Sequence, residues 1–170
     1  MKAILVMGPQ ASGKTTWSDR FLAENVFTRY VNSDLWWPVR SGRRIWWDDE
    51  GQARCWHTEP IPSHILDKAY SWAFQLYMEH LRSEEDVIYE ATFPDAHTRK
   101  RAIREARTRG YQVDGVFIYP SLLTCVLRNK AREHPVPDKV LARTYGKLEL
   151  PTSREGFDKL TIIGEEECQH

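Results

Sequence analysis

The sequence predicts an α/β fold, a parallel sheet of about five strands with helices on both faces. Three observations carry this. Strand-like and helix-like segments alternate along the whole chain, which is how parallel strands joined by crossover helices read. Residues 3–7, Ala-Ile-Leu-Val-Met, form a continuous apolar run stopped by Gly8 and Pro9, the signature of a strand buried on both faces. Between residues 65 and 81, apolar side chains recur at 66, 69, 70, 73, 76, 77 and 81, the spacing of an amphipathic helix.

The elements follow in order. After the strand at 3–7 and a glycine-containing loop, residues 15–24 suit a helix with Trp17, Phe21 and Leu22 facing inward. Residues 28–33 form a second short strand ending at Asp34, and 35–62 break into Trp, Arg, Gly, Asp and Pro, an irregular segment. The amphipathic helix comes next, followed by a strand over 86–91 (Asp-Val-Ile-Tyr-Glu-Ala). An Arg-rich helix over 94–109 ends at Gly110, since glycine accepts the left-handed conformation that follows a helix. A strand over 113–119, a helix over 121–132, a break at His134-Pro-Val-Pro137, a helix to 148 and a strand over 159–163 complete the chain. There is no internal repeat and no low-complexity tract.

The 170 residues fit one domain, and 41% hydrophobic with 28% charged residues is an ordinary globular composition. Lys plus Arg and Asp plus Glu balance at 24 each, so any affinity for polyanions must come from local patches. Cys55, Cys125 and Cys168 form no CxxC pair, which argues against a zinc site or a disulfide framework and fits a reducing compartment. The start MKAILVMGP is too short an apolar run for a signal peptide, and no stretch has the apolar length of a membrane helix. The expectation is a cytoplasmic protein with no membrane association and no stable protein partner.

Gly8-Pro-Gln10-Ala11-Ser12-Gly13-Lys14-Thr15 matches GxxxxGK[ST], with a strand before it and a helix after it. Such a loop turns its backbone N–H groups inward around phosphates, and the following helix adds the positive end of its dipole. Gly13 admits close backbone approach, Lys14 carries a charge to the β- and γ-phosphates, and Thr15 offers a hydroxyl to Mg²⁺. Gly8, Gln10, Ala11, Ser12, Gly13, Lys14, Thr15 and Thr16 are thus the candidate ATP site, with Thr15 the candidate metal ligand. No NKxD stretch for guanine is present.

Asp34 follows the second strand, at the carboxyl edge where open α/β sheets bind ligands. A carboxylate there can accept the proton of an attacking hydroxyl, or simply cap a helix. Arg128 and Arg132, four apart, project from one helix face and can neutralise a transferring phosphoryl group; by composition alone they read rather as a solvated face.

The order of these pieces resembles the 5′-polynucleotide kinase module of phage and bacterial end-healing enzymes, within the wider group of zeta-toxin-like P-loop kinases. The matching residues are Gly8 to Trp17, Asn32-Ser-Asp34, Val87-Ile-Tyr-Glu90-Ala-Thr92, Arg128-Asn-x-x-Arg132 with Val136-Pro137, and Arg154-Glu-Gly-Phe157. The similarity skips roughly residues 38–60. It implies a three-layer P-loop kinase fold with an Arg-bearing lid over 128–147, and Asp34 as general base for a 5′-hydroxyl. Lys14 and Thr15 would hold phosphate and metal, and Arg132 would reach the transferring phosphate with Arg128 assisting. Two departures fall on the acceptor side: Trp37 stands where the family carries Arg, and Glu90 where it carries Asp. Trp37, Arg40 and Glu90 are the candidate acceptor residues, and Arg43 or Arg44 are further substitutes for the missing arginine.

The insertion at 36–61 holds five of the seven tryptophans, with Arg40, Arg43, Arg44 and Arg54 among them. Stacking faces with interleaved cations suit single-stranded nucleic acid; equally, tryptophans pin a long loop against a sheet. The basic helix with Arg99, Lys100, Arg101, Arg104, Arg107 and Arg109 reads as a solvated face or a polynucleotide track. The six histidines show no metal-ligand spacing, and His80 suits a helix end. The leading expectation is an ATP- and Mg²⁺-dependent kinase of a nucleic-acid 5′-hydroxyl. The alternatives are a kinase of a small-molecule, nucleotide or hydroxymethylated-base hydroxyl, and an ATP-binding switch or toxin-type component.

Overall fold

In the computed structural model, residues 1–32, 45–47, 53–55, 63–132 and 135–165 are described, with backbone alone for 45–47, 53–55 and 63–69. The elements run β1 (Lys2–Met7), α1 (Lys14–Glu24), β2 (Arg29–Asn32), β3 (Ile45–Trp47), β4 (Ala53–Cys55), α2 (Ser63–Arg82) and β5 (Val87–Glu90). After these come α3 (Ala96–Arg107), β6 (Gln112–Ile118), α4 (Leu122–Lys130), α5 (Asp138–Gly146), a 3₁₀ turn (Ser153–Glu155) and β7 (Lys159–Ile163).

Five strands form one parallel sheet in the order β2-β5-β1-β6-β7. The apolar run of β1 is explained by its central place, because alternate side chains serve opposite faces. Ala3, Leu5 and Met7 join Val87, Tyr89, Val113 and Phe117 in a core with Ala73, Tyr77 and Leu81 of α2 and Ala102, Ile103 and Ala106 of α3. Ile4 and Val6 face the other way, with Ile88, Val116 and Ile118, under Trp17, Phe21 and Leu22 of α1. The expected α/β architecture is therefore present, with helices on both faces.

The element boundaries shift by a few residues from those read in the sequence, and two readings need correction. The segment 35–62 is not irregular throughout: β3 and β4 pair antiparallel, Trp46 opposite Arg54. The Arg-rich helix is not simply a solvated face, because Arg99 is fully buried. Its guanidinium holds Glu155 by two bonds, Nε to Oε2 at 2.6 Å and Nη2 to Oε1 at 2.9 Å, and Nη1 donates to the carbonyls of Phe93 and Glu149. Arg107 pairs with Asp158 and Arg109 with Glu105, so part of the remaining positive charge is locally neutralised. Arg101 lies over the ring of Phe74, 3.9 Å from its centroid. His80 does end a helix, but it also pairs with Glu85 at 2.8 Å. Among the described residues no helix is long and apolar enough to cross a membrane, and no group of three or more His, Cys, Asp or Glu is placed to hold a metal ion.

Candidate functional site

The loop between β1 and α1 is shaped by residues with unusual backbone angles. Gly8 has φ 143°, and a Cβ there would lie 2.2 Å from the carbonyl oxygen of Ile118, so only glycine fits. Gly13, at φ 106°, is the residue from which α1 springs, and Ala11 has φ 59° although it carries a side chain. The Ala11 methyl is buried against Cys125 and Leu141 of α4 and α5, which secures the loop in this conformation. α4 is capped by Ser121, whose hydroxyl accepts from the N–H of Thr124, and it places Arg128 against the loop.

Seven sequence-predicted residues come together here. Lys14, Thr15, Arg128 and Arg132 line one cleft of ≈ 190 Å³ with Ala11, Gly13 and Thr16. Arg128 Nη1 donates to the carbonyl of Ser12 at 3.0 Å, and Lys14 Nζ donates to the carbonyl of Pro9 at 2.6 Å. Three cationic side chains thus converge on a loop at a helix N-terminus, the electrostatics that an oligophosphate requires. Two buried polar atoms of the same loop, Gln10 Oε1 and Ser12 Oγ, have no hydrogen-bond partner among the described residues. Such groups cost about 1–3 kcal/mol each when left unmet, so a loop holding two of them fits a site completed by a ligand.

Glu90 ends β5 beside β1 and is 2% exposed. Its carboxylate accepts four bonds: from Thr15 Oγ1 at 2.8 Å, Ser18 Oγ at 2.9 Å, Tyr30 Oη at 2.8 Å and Asn32 Nδ2 at 3.2 Å. Burial, with the neighbouring Glu90 charge, pushes the Tyr30 phenol far above its ordinary range, so it remains a donor. The Thr15 hydroxyl is a hard oxygen donor under the phosphate loop, of the kind that suits Mg²⁺, and the buried Glu90 carboxylate, its oxygens taken by these four donors, orients it. Glu90 therefore stands with the metal-side threonine. Sequence reading singled Glu90 out as a candidate acceptor residue and named Asn32 only within a motif; it gave no site role to Ser18, Tyr30 or Asn32. Their signal was present: Ser18 lies three residues from Thr15 on α1, and Tyr30 and Asn32 are two apart on β2, so each pair shares a face.

Asp34, Trp37, Arg40, Arg43 and Arg44, the expected base and acceptor residues, lie outside the described residues. The same holds for Trp36 and Trp56 and for the side chains of Trp46, Trp47 and Arg54.

Comparison with known proteins places the chain. A family model described as AAA domain matches residues 4–151, so the chain belongs to that family, a family of P-loop kinases. Among solved structures the chain is similar to a putative kinase from Chloroflexus aurantiacus, at 17% identity and TM-score 0.64 over 96% of this chain and 84% of that one. It is similar to a gluconokinase from Sinorhizobium meliloti at 20% identity and TM-score 0.63, covering 96% and 82% of the two chains. A third likeness is to the PezAT chromosomal toxin-antitoxin system of Streptococcus pneumoniae, at 15% identity and TM-score 0.62, covering 98% and 69%. No curated protein matches the chain. At these identities the structural likeness concerns the fold, which is that of P-loop kinases.

Proposed function

We propose that the chain is an ATP-dependent phosphotransferase that moves the γ-phosphate to a hydroxyl of a small molecule. The observation that carries the phosphotransferase reading is the convergence of Lys14, Arg128 and Arg132 on one cleft, with Thr15 at the start of α1 bonded to Glu90 at the end of β5. Lys14 and the loop N–H groups would bind the β- and γ-phosphates, and Thr15, oriented by Glu90, would hold Mg²⁺. Mg²⁺ at this position would offset the negative charge of the phosphates.

The chain's own residues do the rest. Lys14 exchanges the Pro9 carbonyl for phosphate oxygen. Arg128 and Arg132 neutralise charge spreading over the three equatorial oxygens of the transferring group. The acceptor oxygen forms a bond to the γ-phosphorus as the bond to the β–γ bridging oxygen breaks, and ADP departs. Asp34 takes the acceptor's hydroxyl proton.

Support for a small acceptor comes from the gluconokinase among the fold relatives and from Trp37, which removes the arginine that would grip an acceptor phosphate. A second reading, transfer to a nucleic-acid 5′-hydroxyl, is favoured by the five tryptophans and interleaved arginines of residues 36–56. The test is transfer from γ-labelled ATP with Mg²⁺ to gluconate, other sugars and polyols, nucleosides, and 5′-hydroxyl DNA and RNA oligonucleotides. Label on a small hydroxyl supports the first reading, and label on an oligonucleotide end replaces it with the second. ATP binding without transfer to any acceptor would leave an ATP-binding switch.

A further inference from the structure

We propose that Asn129 is a positioning residue for the phosphate cleft: its buried amide closes the chain between α4 and α5 and thereby sets where Arg132 stands. The proposal rests on the phosphotransferase reading above and adds to it a residue that touches neither nucleotide nor acceptor.

Asn129 is 1% exposed, while Arg128 before it and Arg132 after it line the cleft. Its side chain makes two bonds to one residue across the connection. Nδ2 donates to the carbonyl of Val136 at 2.5 Å, and Oδ1 accepts from the N–H of Val136 at 3.0 Å. This is the pairing that one peptide group makes with another in a sheet, supplied here by a side chain. The main chain of the same residue holds the other end, because the N–H of Arg132 donates to the Asn129 carbonyl at 3.1 Å. Val136 is itself buried and precedes Pro137, the cap of α5. Arg132 is thus carried on a closed loop of the chain, tied at both ends to Asn129.

The chemistry selects asparagine. The site needs one donor and one acceptor on a short planar group, which leucine of similar size lacks and ionised aspartate half lacks. Removing the amide leaves the Val136 N–H and carbonyl buried without partners, and the connection opens to meet water. The consequence at the cleft is a loss of pre-orientation of Arg132, felt where that arginine is needed most, at the transferring phosphoryl group.

The full chain tests this through nucleotide binding, which needs no acceptor. Calorimetry with Mg²⁺ measures the affinity for ADP and for ADP with aluminium fluoride, a mimic of the transferring group. Wild type, Asn129→Leu, Arg132→Ala and the double variant are compared, with thermal unfolding as the check on folding. Asn129→Leu should weaken the fluoride complex about 10-fold relative to ADP alone, and should add no further loss in the Arg132→Ala background. Equal losses in both backgrounds, or no loss, would overturn the proposal. Asn129→Asp serves if the leucine variant does not fold: its loss relative to wild type should shrink as pH falls and the carboxyl regains a donor. A loss that does not change with pH counts against the role. Wild type that binds no ADP would sink the phosphotransferase reading and this role together, whereas wild-type binding untouched at Asn129 would sink the role alone.

Discussion

The hydroxyl of Thr15 donates to Oε1 of Glu90 at 2.8 Å, joining the first turn of α1 to the end of β5 across 75 residues of sequence. The contact unites a candidate metal ligand with a buried carboxylate whose oxygens are all engaged. Glu90→Gln keeps the size of the side chain and removes the charge. It should weaken the Mg²⁺ dependence of ATP binding by about 10–100-fold, read from ATP affinity with Mg²⁺ and with chelator. An unchanged ratio would separate Glu90 from the metal.

Lys14 Nζ donates to the Pro9 carbonyl at 2.6 Å in the cleft, and in the proposed reaction it would exchange that bond for phosphate oxygen. Lys14→Ala should lower transfer from labelled ATP by about 10²–10³-fold while the melting temperature stays close to that of wild type. A variant as active as wild type would refute the assignment.

Asp34→Asn keeps the shape of the expected base and removes its ability to take a proton. Transfer should fall by about 10²–10⁴-fold with ATP affinity largely retained, measured by single-turnover transfer and calorimetry on the same samples. A parallel loss of ATP affinity would move Asp34 to the nucleotide side.

Gly8→Ala introduces a methyl 2.2 Å from the Ile118 carbonyl oxygen at a backbone angle that L-residues avoid. The loop or β6 must shift, at a cost of at least about 1–3 kcal/mol, and the midpoint of thermal unfolding should fall by several degrees. ATP affinity should fall with it, because the same carbonyl contact shapes the loop.

Arg99→Met leaves Glu155 buried without its cation and should destabilise the fold by about 3–5 kcal/mol, read by chemical denaturation. The pair also sets a pH dependence. Burial pushes the Glu155 carboxyl up, but the Arg99 bonds and the N–H of Thr152 outweigh it and hold the group below its ordinary value of 4.5. A depressed value means that this stabilisation is present above that ordinary value and is lost as pH falls through the folded-state one. Wild type should therefore lose stability in acid more steeply than Arg99→Met, compared as unfolding free energies between neutral and acid pH.

Much of the architecture was legible because it is local and periodic. The run at β1, the amphipathic spacing in α2 and Gly110 after α3 each reflect a rule that acts within a few residues. The phosphate loop was legible for the same reason, since eight consecutive residues carry its geometry and its chemistry. Arg99 was not legible. Nothing in its run of basic neighbours tells a buried arginine from an exposed one, because the distinction depends on Glu155, 56 residues further on.

What the sequence by itself determined is the phosphate-loop pattern: Gly8, Gly13, Lys14 and Thr15 lie together in the chain, so no long-range pairing is needed to bring them near. What only the tertiary structure decided is what surrounds that loop. Glu90 meets Thr15 because β5 pairs with β1, Tyr30 and Asn32 meet Glu90 because β2 pairs with β5, and Arg128 reaches Ser12 because α4 follows β6 on the other side of β1. These neighbours come from strand order, and strand order is set by which buried surfaces pair across the whole sheet, a long-range property that short spacing in a sequence does not carry.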